Sequence, residues 1–173
     1  RRGGIRRVSF PKDRSNPLRG DRTLSLLNIE DRVVQRAIVD VTWPLLERPL
    51  GDNVFGFRKG LNRFHALARV EHLASAEDRF IWVVDDIRDA FDNVPRGRLM
   101  DLVVKHIPCC ELVEFIDRLI DTNRKHGIQQ GGPLSPHLLN LFLSHFLDTP
   151  WQGRFPDIPL IRYADDLLLL CRS

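Results

Sequence analysis

The sequence predicts an α+β fold, an antiparallel sheet backed by helices, with a small β-hairpin and further helices ahead of it. Three observations predict it. Apolar residues recur at helical spacing in five stretches, and short β-branched and aromatic runs lie between them. Near the C-terminus, two apolar segments, Ile158 to Ile161 and Leu167 to Leu170, flank a tight turn and read as a hairpin. A chain of 173 residues, 43% hydrophobic, can bury a real core in one or two compact units and is not a disordered polymer.

In chain order, strands are expected near Ile5 to Phe10 and Arg22 to Leu26, then helices from Ile29 to Glu47 and from Leu61 to Ala76. Phe80 to Asp85 is β-branched and aromatic, the pattern of a buried strand. Helices follow over Pro95 to His106, Glu111 to Thr122 and Pro133 to Asp148, the last with proline acceptable in its first turn. In that helix Leu138, Leu139, Phe142, Leu143 and Phe146 recur at core spacing. The closing hairpin pairs Leu160 to Tyr163 with Leu167 to Cys171.

The hairpin tip is doubly acidic. Asp165 and Asp166 are lifted to an edge, where like charges about 4 Å apart repel and call for a cation. The run Phe80 to Asp85 also leads into acid, at Asp86, and if the two strands lie side by side, Asp86 meets Asp165 and Asp166. Three hard oxygen donors in one place suit Mg²⁺, which takes one or two carboxylates together with waters and substrate phosphates. A pair of such ions suits phosphoryl transfer.

Charge is uneven. The first 22 residues hold eight Arg or Lys against two Asp, whereas the whole chain is only +3, so the remainder is net acidic. A local basic arm is a footprint for phosphates. Three cysteines make no disulfide framework, the six histidines show no ligand spacing, and there is no membrane span or secretion signal. A reducing cytosol fits.

Several motifs stand in a fixed order: Arg6 to Lys12, Gly20 to Leu24, Asp31 to Ala37, Phe55 to Gly60, Asp86 to Asp92, Gly127 to Pro136 with Asn140 behind it, and Tyr163 to Asp166. Together they resemble the reverse transcriptases, most closely the bacterial group II intron type. The resemblance covers nearly the whole chain. It implies a fingers-palm fold, with fingers over residues 1–78 and palm over 79–173. It also implies an RNA-directed DNA polymerase with Asp86, Asp165 and Asp166 as catalytic residues, and two Mg²⁺ ions, replaceable by Mn²⁺, held by Asp86, Ile87, Asp165 and Asp166.

Further roles follow from the same likeness. Phe91 becomes the steric gate beneath the sugar, where a 2′-hydroxyl would collide with its ring. Asp89 and Ala90 share its turn, whose backbone N–H groups form a nest for the triphosphate. Gln130, Gly131 and Gly132 belong to the template-positioning motif, Gln130 also near the incoming nucleotide, and Arg58 faces the template backbone. Lys12 and Arg22 would clamp the triphosphate, one as a point charge and the other as a bidentate fork. The sequence departs from the family there. The turn from Asp13 to Asp21 is longer than usual, and Thr23 to Asn28 replaces the more usual Pro-Leu-Gly-Ile-Pro text.

The implied partners are an RNA template, a DNA primer, deoxynucleoside triphosphates and intron RNA. In the family a primer grip and a helical thumb follow the catalytic hairpin, so this chain is expected to be a fragment that extends primers weakly or not at all, with exposed apolar surface that favours self-association. Two other readings stay open. A non-catalytic nucleic-acid-binding or maturase module would retain the fold with its chemistry idle. A two-metal nuclease would use a similar acidic cluster without needing Phe91 or the basic hairpin.

Overall fold

The computed structural model describes residues 6–11, 21–120 and 126–172. The chain divides into two compact units, each assembled from two separated stretches: Arg1–Trp43 with Phe91–Ser135, and Pro44–Ala90 with Pro136–Ser173.

In the first unit, β1 (Arg6–Pro11) and β2 (Asp21–Leu26) form an antiparallel ribbon in which Phe10 is opposite Arg22 and Arg6 opposite Leu26. α1 (Ile29–Glu47) begins where the Asn28 side chain accepts the Asp31 N–H at 2.7 Å, satisfying a helix-end donor, and Glu30 and Asp31 suit the positive end of the helix dipole. α1 continues into the second unit through Pro44. α4 (Arg96–His106) and α5 (Cys110–Ile120) pack together, burying Leu99, Leu102 and Val103 on one and Val113, Ile116, Leu119 and Ile120 on the other. An Arg96–Asp117 ion pair at 2.8 Å ties their flanks.

The second unit holds the sheet, ordered β3-β5-β4 and antiparallel throughout, built from β3 (Ile81–Asp86), β4 (Leu160–Tyr163) and β5 (Asp166–Cys171). α2 (Arg63–Glu77) packs on β4 and β5. Its start is closed by a capping box between Asn62 and His65, and its end by Asp78 in the left-handed conformation. Ala66, Val70 and Leu73 of α2 bury against Phe55, Ile161 and Leu170, with Leu61 and Leu168 at the margin. Period-two alternation explains the choice, because Leu168 and Leu170 lie on one face of β5. Arg79, buried just after α2, ties the sheet's far end by donating to the carbonyls of Asp157 and Leu170 and to Glu77.

Two expectations need correction. The run Phe80 to Asp85 reads as a buried strand, yet every residue of β3 is exposed, Val84 at 77% and Trp82 at 53%. The reason is cover: β3 and β4 are both edge strands, but α2 packs on β4 and β5 and not to the same extent on β3. The second concerns the helix expected from Pro133 to Asp148. α6 covers only Ser135–Leu143, a π-helical turn follows over Ser144–Asp148, and α7 (Thr149–Arg154) completes the stretch. A π turn widens the repeat and shifts the helix phase. Phe146 is therefore 40% exposed, its ring tilted against that of the half-buried Phe142 at 4.6 Å, whereas Leu138, Leu139 and Leu143 are buried as expected.

No helix among the described residues is long and apolar enough to cross a membrane. Cys109, Cys110 and Cys171 are free thiols.

Candidate active site

β4 and β5 are joined by a two-residue turn, Ala164-Asp165, closed by the pair Tyr163 and Asp166. Ala164 has φ 61°. A left-handed first turn residue suits the right-handed twist of a hairpin, but it normally asks for glycine and costs an alanine about 1–2 kcal/mol. That strain sits one residue before Asp165.

On the other side of β5, Asp86 is the direct partner of Asp166. The Ile87 N–H donates to the Asp165 carbonyl at 3.0 Å. A bond at that place makes Asp86 and Asp166 a non-hydrogen-bonded pair, the class in which opposed Cα atoms are about 4.5 Å apart and the side chains share a face. Tyr163, Asp166 and Asp86 therefore form one row across the end of the sheet. Asp86 and Asp166 are exposed and Asp165 half-buried, so all three stand at a solvent-facing edge. Asp85, next in the chain, turns its carboxylate onto the Asp86 N–H at 2.8 Å.

Like charges directly opposed on a sheet repel, and a cation relieves them. The donors are hard carboxylate oxygens, which fit Mg²⁺ or Mn²⁺ in kind, and two carboxylates are as many as Mg²⁺ commonly takes from protein. Backbone register brings Asp86, Asp165 and Asp166 together, but among the described residues no three His, Cys, Asp or Glu side chains are gathered into a metal-binding group.

The remaining candidates fall as follows. Asp89 is left-handed at φ 50°, immediately before the short α3 (Ala90–Asn93), and Ala90 is buried. Phe91 is half-buried, and its carbonyl accepts the Ile128 N–H at 2.8 Å. Gln130 is half-buried, with its carbonyl accepting the Ser25 N–H at 2.9 Å. Gly131 and Gly132 are closely approached by protein: a Cβ would come within 2.5 Å of the Ser25 carbonyl oxygen at Gly131 and 2.3 Å of the Gln35 side-chain oxygen at Gly132. That oxygen also accepts the Leu134 N–H, so this turn is locked to β2 and α1.

Arg58 does not face outward. Its guanidinium bonds Glu47 at 2.6 Å and the carbonyls of Gly51 and Val54 at 2.7 Å each, clasping its own loop, and the side chain is 12% exposed. These bonds to its own loop occupy most of its five N–H donors and count against the expected template contact. Lys12 lies outside the described residues; Arg22 is in β2, with its side chain outside the described part.

Sequence reasoning passed over two groups. Gln129 rather than its neighbour is the buried glutamine, and neither its amide nitrogen nor its oxygen has a hydrogen-bond partner among the described residues. Arg162 is fully buried behind the acidic turn. The only hint of it was a lone cation in an apolar strand whose pattern otherwise promised a core.

The antiparallel sheet with its acidic hairpin is the frame of the site, and comparison with known proteins gives the family. The family model described as "Reverse transcriptase (RNA-dependent DNA polymerase)" matches residues 11–173, and the chain belongs to that family. It is 29% identical over 211 residues to Protein YkfC of Escherichia coli K12, a match covering 97% of this chain and 54% of that protein. It is 25% identical over 164 residues to the putative COX1/OXI3 intron 2 protein of Saccharomyces cerevisiae, covering 87% of this chain and 18% of the relative. Among solved structures, a partial Cas6-RT-Cas1--Cas2 complex matches with TM-score 0.51 and 30% identity, covering 88% of this chain and 28% of that one. The chain thus spans about half the length of YkfC and under a fifth of the yeast intron protein. The fold expectation, a reverse-transcriptase fingers-palm with antiparallel sheets and helices, stands.

Proposed function

We propose that the protein carrying this chain is an RNA-directed DNA polymerase of the group II intron type, adding deoxynucleotides to a DNA primer on an RNA template. The observation that carries the reading is the Asp86–Asp166 pair with Asp165 on the adjoining turn, within a chain of the reverse transcriptase family. The likeness to an intron protein supports the intron type and makes intron RNA a further partner. Fingers over residues 1–78, palm over 79–173 and a cytoplasmic location in a bacterium belong to the same proposal.

Asp86, Asp165 and Asp166, with Ile87 beside them, are the residues that would hold two Mg²⁺ or Mn²⁺ ions. Such ions, when bound, activate the attacking hydroxyl and neutralise the leaving oxygen. The chain's own groups do the rest. The left-handed Asp89 followed by a helical start is the backbone pattern of an anion nest, which supports a triphosphate contact at Asp89 and Ala90. Phe91 excludes a 2′-hydroxyl, Gln130 with Gly131 and Gly132 positions the template, and Lys12 and Arg22 meet the triphosphate.

Primer extension on an RNA template by the complete gene product, set against Asp165→Ala, is the test. Extension abolished by the substitution is the expected result. Undiminished extension sinks the mechanism, Mg²⁺-dependent shortening of labelled DNA points to a nuclease, and retardation of nucleic acid without either points to an idle binding module.

A further inference from the structure

We propose that Arg162 is a positioning residue: with Asp148 and Asn140 it locks the strained turn that carries Asp165, and so sets the metal affinity of the acidic edge. The inference rests on the metal-site reading above.

Arg162 is the central strut. Its Nε donates to Asp148 Oδ1 at 2.9 Å and its Nη2 to Asp148 Oδ2 at 2.7 Å, a two-pronged grip on one carboxylate. Nη1 donates to two further oxygens, Asn140 Oδ1 at 2.8 Å and the Ala164 carbonyl at 2.9 Å. Asn140 in turn donates its Nδ2–H to the Gly56 carbonyl at 2.7 Å. Gly56 lies against the turn, since a Cβ there would come within 2.2 Å of the Ala164 nitrogen. The turn is held from both sides, by a guanidinium on its carbonyl and by a backbone pressed to its amide.

This geometry depends on the π-helical turn. Asp148 is the last residue of that turn, and its carboxylate meets Arg162 two-pronged from there. The arrangement is costly in isolation, because a guanidinium is stripped of water and an alanine is kept at φ 61°. Strain of this kind persists where the surroundings over-determine it. The group it fixes is the neighbouring Asp165, and partners behind metal ligands commonly set metal affinity 10–100-fold.

A lysine at 162 would retain the charge but offers one nitrogen in place of the fork that reaches Asp148, Asn140 and Ala164 together. Glycine at 164 would adopt the left-handed turn without a lock. Tyr163 is the chain's only tyrosine, so fluorotyrosine labelling places a single ¹⁹F reporter beside Ala164. The experiment follows that resonance and its broadening by Mn²⁺ in the 173-residue chain and its Arg162→Lys, Arg162→Lys/Ala164→Gly and Asp165→Ala variants.

Arg162→Lys is expected to shift or split the resonance and weaken Mn²⁺ binding by about 10–100-fold. Adding Ala164→Gly is expected to restore one resonance and most of the affinity. Wild-type resonance and affinity in Arg162→Lys overturn the proposal, as does a loss that the glycine fails to recover. If circular dichroism finds Arg162→Lys unfolded, Asn140→Ser, which loosens the link to Gly56 and Arg162, is read by the same criteria. Equal Mn²⁺ broadening in wild type and Asp165→Ala defeats the metal-site reading instead, and the metal-free line shapes still decide the role of Arg162.

Discussion

Gly56→Ala isolates the contact between the loop after α1 and the acidic turn. An added Cβ would meet the Ala164 nitrogen at 2.2 Å, the Ala164 Cα at 2.9 Å and the Tyr163 carbonyl carbon at 3.0 Å. All three are backbone atoms, so no side chain can rotate away. The shortest contact is about 1 Å below ordinary van der Waals separation, and either the turn or the loop must move by roughly that much. Over-packing of this sort costs about 1–3 kcal/mol. At about 2–4 °C per kcal/mol for a chain of this size, the melting temperature should fall by about 2–12 °C. Activity should fall further than stability accounts for, since a displacement of about 1 Å at a reacting centre can cost 10²-fold. The assay is thermal unfolding by circular dichroism together with primer extension by the complete protein. Gly51→Ala is the control, because a Cβ there meets nothing within 4 Å. A Gly56→Ala protein that melts and extends like Gly51→Ala would refute the reasoning.

Two further predictions concern stability away from the site. Gly97 lies in α4, and a Cβ there also meets nothing within 4 Å, so Gly97→Ala should stabilise by about 0.5–1 kcal/mol and raise the melting temperature by about 1–4 °C; an unchanged or lower value contradicts the helix assignment. Glu77 accepts a hydrogen bond from Arg79, which with the nearby charges of Arg79, Arg172 and Arg69 holds its carboxyl below the usual range against the opposing effect of burial. Its contribution is therefore present above the ordinary carboxylate pKa and lost as pH falls through the depressed one. The melting-temperature gap between wild type and Glu77→Gln should close on titration from about pH 6 to about pH 3; a gap independent of pH removes the linkage.

Much of the acidic edge was legible because its chemistry is local. Apolar segments on both sides of Asp165 and Asp166 can only bury themselves by forming a hairpin, which leaves the acids at the tip, and a β-branched run leading into Asp86 supplies the neighbouring strand. Among the described residues, five of the helices and all five strands follow from local pattern for the same reason, although the last predicted helix is interrupted by a π turn. Arg58 shows the limit. Its Gly-flanked loop looks free to meet a template, yet three oxygens from Glu47, Gly51 and Val54 converge on it once the chain folds back.

What the residues determined alone was the kind of element over most of the chain and the kind of donor at the edge, since both depend on neighbours a few places away. Tertiary structure decided which edge strand α2 covers, so that β4 is buried while β3 stands exposed, and where the π turn falls, so that Asp148 reaches Arg162. Those outcomes turn on contacts between residues far apart in the chain. Asn140 and Gly56 are 84 positions apart and share a hydrogen bond that no local pattern encodes.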